Sequence, residues 1–315
     1  MNTGLRITAF AAALAATFGT AYGVGESLDP VVADRAPAHG ERHAPPPTEA
    51  DGRTAHDTPP AGGLQISENG YRLDLRTPRV TAGHRAELRF AVLDDHGRAV
   101  TEYRREHGKE LHLVVASRDL LTYRHLHPTR TADGTWATPV DLPRAGGYRV
   151  FADFTPARRG AGNLTLGADL AASGSYRPQE LPRTGGVVRV DGYEVELTGT
   201  LRPGRASELR LSVSRDGKPV TDLQPHLGAY GHLVALRAGD LAHLHVHPHG
   251  GPGDGKTASG PAVSFTATAP SSGGYRLFLD FKHDGVVRTA AFTVHAGVAE
   301  ETDPPAPEHS EGHGH

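Results

Sequence analysis

Two stretches of this 315-residue sequence repeat each other at a nearly constant spacing, and that constrains the fold more than any other feature. GYRLDLRTPRVTAGHRAELRFAVLDDHGRAVTEY begins at Gly70, and GYEVELTGTLRPGRASELRLSVSRDGKPVTDL begins at Gly192. Gly83 and Gly204 stand 121 residues apart, Gly97 and Gly217 stand 120 apart, and Pro128 and Pro248 also stand 120 apart. Further on, GGYRVFADF at Gly146 matches GGYRLFLDF at Gly273, an offset of 127. A duplication of this length implies two homologous domains, each with a core of its own.

Within each unit the apolar period is two. Leu88, Phe90 and Val92 alternate with polar residues in the first copy, as do Leu209, Leu211 and Val213 in the second, which is the pattern of half-buried strands. Asp-His-Gly at 95–97 and Asp-Gly at 216–217 supply hairpin turns, where glycine accepts a positive φ without steric cost. LHLVVA (111–116) and HLVALR (232–237) are apolar on both faces and read as central strands. Roughly seven strands in about 110 residues, with no helical pattern, predict an all-β chain of two tandem antiparallel β-sandwiches, immunoglobulin-like or cupredoxin-like. The expected boundaries are 67–171 for the first sandwich, 172–187 for the joint and 188–297 for the second.

The ends differ from the body. Arg6 precedes an apolar run from Ile7 to about Val24, which predicts export through a signal peptide or an uncleaved membrane anchor over residues 1–25. Residues 26–66 are rich in Pro, Ala and Gly without apolar periodicity, and predict a disordered tether. Residues 298–315 form an acidic tail that ends in His309, His313 and His315. Either fate of the N-terminus puts the body outside the cytoplasm, secreted or held at the outer face of the membrane. The net charge of −3 offers no basic field for a phosphate backbone, so nucleic acid is not an expected partner.

The chain has no cysteine, a single methionine at position 1 and 20 histidines. Thiolate and thioether sites are thereby excluded, and any metal must be held by nitrogen and oxygen. In copy one, His107 and His112 are followed by His125-Leu126-His127-Pro128; in copy two, His226 and His232 are followed by His245-Val246-His247-Pro248. Residues i and i+2 of a strand share a face, with Cα atoms about 7 Å apart, so each HxH pair can chelate one ion. A histidine on the neighbouring central strand can add a third nitrogen. The expected ligand sets are His112, His125 and His127 in one copy and His232, His245 and His247 in the other, for Cu(II) or Zn(II). His107, His226, His243 and His249 are weaker candidates. Asp153 and Asp280 could ligate, could fix an imidazole tautomer, or could pair with Arg149 and Arg276 on the same sheet face. His84, His96, His283 and His295 lack a counterpart in the other copy and read as surface residues.

The run HLVVASRDLLTYRHLHP followed by GGYRVFADF resembles a group of exported, actinobacterial-type proteins that carry one or two copies of this pattern over about residues 68–297. The resemblance implies export, a β-sandwich and heavy-metal binding. Copy two departs from the pattern, with RAGDLAHLHVHP where copy one has SRDLLTYRHLHP. Two functions are therefore expected from the sequence: a non-enzymatic metal-binding protein, or a cell-surface scaffold or adhesion module whose histidines are structural. No Ser–His–Asp arrangement, paired-carboxylate signature, phosphate loop or dinucleotide fingerprint points to an enzyme.

Overall fold

Leu88, Phe90 and Val92 on the strand Arg85–Leu93, and Leu209, Leu211 and Val213 on Ala206–Arg215, are buried, while most of the residues between them are exposed or half-buried. The period of two thus becomes one apolar face per strand, and two such faces close on each other in each repeat. The computed structural model describes residues 61–244 and 246–297, together with Thr17. The expected signal or anchor, the tether as far as residue 60, the tail from residue 298, and His245 lie outside the described residues, Thr17 excepted. None of the described helices is long and apolar enough to cross a membrane.

The chain is all-β. In repeat one, a back sheet runs Ser67–Glu68, Tyr71–Leu75, Arg85–Leu93, Thr135–Asp141, Thr129–Arg130. Its partner sheet runs Arg79–Thr81, Leu164–Ser173, Gly146–Pro156, Leu111–Ser117, Tyr123–Leu126, with only the first pairing parallel. Repeat two follows the same plan. Val187–Val190, Tyr193–Thr198, Ala206–Arg215, Ala262–Thr268 and Val246–Pro248 form its back sheet; His243–Leu244, Gly231–Arg237, Gly273–His283 and Val286–Ala296 form the other. This strand order is immunoglobulin-like, without the inter-sheet disulfide of antibody domains. Each repeat does keep a tyrosine corner: the Tyr148 hydroxyl donates to the Arg144 carbonyl at 2.6 Å, and Tyr275 donates to Ser271 at 2.8 Å.

The two central strands that read as apolar on both faces have a reason to be so. Leu113 and Val115 fill the core of repeat one, while Val114 and Ala116, on the opposite face of the same strand, meet Val234, Leu236, Leu241 and Phe278 of repeat two. Tyr123 stacks flat on Phe278, ring centroids 4.1 Å apart and planes 6° from parallel. The repeats therefore pack sheet against sheet, and both belong to one unit, Arg53–His315.

The end of the expected tether is bound rather than free. Gly62 pairs with His243 through two backbone hydrogen bonds of 3.0 and 2.9 Å, and the buried Arg149 guanidinium donates to the carbonyls of Gly63 and Leu64 at 2.6 and 2.7 Å. Gly63 has φ of 74°, and a Cβ there would lie 2.3 Å from the Phe151 ring, so only glycine lets the chain pass this close.

Candidate metal centre

Leu113 pairs with Leu126 and Val114 with His125, a register that carries His127 across from His112 just beyond the end of the shorter strand. The three rings gather accordingly: His125 and His127 have centroids 4.8 Å apart, His112 and His127 5.3 Å, His112 and His125 5.4 Å. One ligand nitrogen from each of His112, His125 and His127 lies within 4.8 Å of the others.

Hydrogen bonding fixes which nitrogens carry hydrogen. His112 Nε2 lies 3.2 Å from the Glu106 carbonyl, which can only accept, so Nε2 carries the hydrogen and Nδ1 the lone pair. His125 Nδ1 lies 2.9 Å from Asp280 Oδ2, so its Nε2 carries the lone pair. These two unprotonated nitrogens face each other at 3.2 Å. Two lone pairs at that distance repel unless a cation stands between them, either a proton or a metal ion. His127 Nε2 is buried with no hydrogen-bond partner. A proton bridges two nitrogens; an ion about 2.0–2.1 Å from each nitrogen bridges three, with tetrahedral N···N separations of about 3.3 Å.

Asp280 comes from the other repeat. It is 3% exposed and accepts from His125, from the Tyr123 hydroxyl at 3.3 Å and from Thr289 at 2.5 Å. The Asp–Arg pairing weighed from sequence does not form. Arg276 donates to Thr293, Arg149 pairs with Asp169, and Asp153 accepts from Asn163 and Thr165.

Copy two does not reproduce the triad among the described residues. Its strand His243–Leu244 pairs with the central strand for two residues only, after which Val246–Pro248 crosses to the back sheet and sets His247 opposite Thr266. His247 thus leaves the sheet that carries His232. His232 instead joins the first repeat's cluster, its ring 5.5 Å from His107, 6.0 Å from His125 and 6.3 Å from His112. His107, His112, His125, His232, His243 and His247 line one cavity of about 360 Å³ between the repeats, with Glu106, Asp153 and Asn163 on its wall. His226 stands 6.1 Å from His127 and 6.0 Å from His232. His249 is exposed and bonds Thr266 at 2.6 Å. His245, the remaining member of the second expected set, lies outside the described residues.

The spacing also misaligned one pair. Glu106 and His226 occupy equivalent turns, each bridged to the residue three further on and each offering its carbonyl to the central-strand histidine. His107 therefore matches Leu227, and both have φ of 51°. His283 is another correction. It is largely buried between the Tyr193 hydroxyl at 2.7 Å and Asp222 at 3.0 Å, a structural histidine rather than a surface one. Tyr123, which sequence reasoning passed over, shares the period-two face of His125, and that alternation was the available signal.

Comparison with known proteins places the chain in a family. A family described as a domain of unknown function, DUF8832, matches residues 66–165 and 188–297. The chain belongs to this family. One matched segment falls in each sandwich, so the chain carries this domain in duplicate. No curated protein matches the chain in sequence. Among solved structures, the chain is similar to the Escherichia coli adhesin FdeC (17% identity, 74% of this chain and 65% of that one, TM-score 0.23). It is also similar to invasin, a bacterial integrin-binding protein (13%, 72% and 39%, TM-score 0.21), and to domains 4–9 of the surface layer protein SbsC (14%, 72% and 31%, TM-score 0.21). The chain spans less than two thirds of each of these structures.

Burial favours the neutral form of His112, His127, His226 and His232. Burial is the main cause in each case: it pushes His127 down to about 3 and His232 to about 4, and it lowers His112 and His226, with the charge of neighbouring His125 adding to the shift. Burial and the Asp280 carboxylate hold the Tyr123 hydroxyl well above its usual range, so it remains a donor. Between the ordinary histidine value of 6.5 and these lowered values, the unfolded chain binds protons that the folded chain refuses. Stability of the metal-free protein therefore falls as pH drops from 7 to 5, by up to about 1.4 kcal/mol per pH unit for the well-buried His232 and by less for the more exposed His127 and His226, which solvent screens. Urea unfolding at pH 7, 6 and 5 in the presence of EDTA measures this; a midpoint that holds constant or rises on acidification contradicts it.

Proposed function

We propose that this chain is an exported, non-enzymatic protein that holds Cu(II) or Zn(II) on His112, His125 and His127 and buffers, delivers or senses that metal outside the cytoplasm. The observation that carries the reading is the 3.2 Å approach of two lone-pair nitrogens, His112 Nδ1 and His125 Nε2, beside the unpartnered His127 Nε2. The chemistry of the donor set agrees with it. Neutral imidazole suits Cu(II) and Zn(II), and the sequence has no thiolate to compete. Asp280 supports the reading as the carboxylate that orients a ligating histidine. The apolar N-terminal run supports export.

A second reading, a surface scaffold or adhesion module of immunoglobulin-like domains, is favoured by a different observation. Val114, Ala116, Tyr123 and Phe151 pack against Val234, Leu236 and Phe278, a contact that can join the sandwiches with no ion at all. Thermal unfolding separates the two readings. An ion bound only to the folded state at 100 times its Kd stabilises by about 2.7 kcal/mol, so the zinc- or copper-loaded chain melts several degrees above the chain in EDTA. Equal melting temperatures would favour the scaffold.

A further inference from the structure

We propose a second cation position in the same cavity, bridging the two repeats between His107 of the first and His232 of the second. It uses none of the triad's nitrogens.

His232 Nε2 lies 2.9 Å from the His226 carbonyl, which fixes the hydrogen on Nε2 and leaves Nδ1 as a lone pair. This is the same tether that prepares His112 in the first repeat, so each repeat presents one central-strand imidazole in the ligating tautomer. The triad uses only one of them.

His107 supplies the facing ring. It sits at the left-handed position of its turn, and that turn meets the equivalent turn of repeat two, where a Cβ on Gly228 would lie 3.7 Å from the His107 Cα. The His107 and His232 centroids are 5.5 Å apart. Two imidazoles sharing one ion about 2.0–2.1 Å from each nitrogen have centroids about 5–6 Å apart. Leu227 occupies the equivalent left-handed position in repeat two, so the turn itself does not call for histidine, and position 107 is where the first repeat adds a ligand.

The surroundings suit a cation. Glu106 and Asp153 lie on the cavity wall with both rings, and about 360 Å³ leaves room for an ion with its waters. Asp153 pairs in register with His112, as Asp280 does with His232, so the two carboxylates flank the cluster from opposite repeats. Their negative charge offsets the repulsion between two neighbouring divalent ions. The second ion binds more weakly than the first, because it meets two imidazoles rather than three and a cation already in place.

The test is equilibrium dialysis of the full chain against Zn(II), with metal analysis, for the wild type, His107→Asn, His232→Gln and His125→Ala/His127→Ala. Asparagine tolerates the left-handed backbone at 107, so His107→Asn keeps the turn. The histidines of the two termini contribute equally to every variant and cancel in the differences. His107→Asn and His232→Gln should each bind one Zn(II) fewer per chain than the wild type, with the tightest binding phase intact. If both variants bind as many ions as the wild type with the same affinities, the second position does not exist. Unchanged binding by His125→Ala/His127→Ala would instead remove the triad and leave the His107–His232 site standing.

Discussion

Replacing Phe278 by alanine should lower the unfolding free energy of the chain by about 3–5 kcal/mol, the range for deleting a buried phenylalanine. Phe278 lies outside both sandwich cores. Leu277 and Leu279, its neighbours on the strand, point into the core of repeat two, while Phe278 points across to repeat one and is 2% exposed. Its loss strips Tyr123 of its stacking partner and opens a void beside Val114 and Phe151. The consequence extends to the histidine cluster, because Tyr123 and His125 both donate to Asp280, two residues from Phe278 on the same face. Denaturant unfolding of the full chain measures the effect, which corresponds to a fall in melting temperature of roughly 10 °C for about 230 structured residues. A change below about 1 kcal/mol would mean that the two repeats do not depend on this contact.

The architecture was legible because strand faces are written in the local sequence. Leu88, Phe90 and Val92 needed only their alternation, and the glycines at 97 and 217 carry the positive φ their hairpins require. The gathering of His112, His125 and His127 was legible for the same reason, given that the two strands are neighbours. What the sequence could not disclose is how two sheets dock when their strands are 120 residues or more apart. LHLVVAS shows that a strand is buried on both faces and is silent on what covers the second. Asp280 looked like a residue that could pair with Arg276 on its own strand; it reaches His125 in the other repeat because the docked sheets bring position 280 over position 125.

The second expected ligand set, His232, His245 and His247, is not gathered among the described residues for a related reason. Duplication suggests that each copy keeps the same ligands in the same places, but strand pairing ends at different points in the two repeats. Repeat one holds its histidine strand against the central strand through Leu126, whereas repeat two leaves that partner after Leu244 and pairs Val246 with Ala267 in the back sheet. One early crossover sets His247 on the back sheet while His232 stays on the other. The disagreement between five- and six-residue spacings, His107 to His112 against His226 to His232, was the visible sign that His107 and His226 are not equivalent positions.

The central claim is that His112, His125 and His127 hold a divalent transition metal, and calorimetric titration of the full chain with Zn(II) and with Cu(II) tests it most directly. Loss of a residue that merely orients a ligand typically costs 10–100-fold in affinity, so removing two of three ligands should cost at least about 100-fold. The wild type should show a binding phase tighter than micromolar, and His125→Ala/His127→Ala should lack that phase while keeping the weak binding of the terminal histidines. Binding no tighter than micromolar in the wild type, or a tight phase that survives the double substitution, would contradict the account.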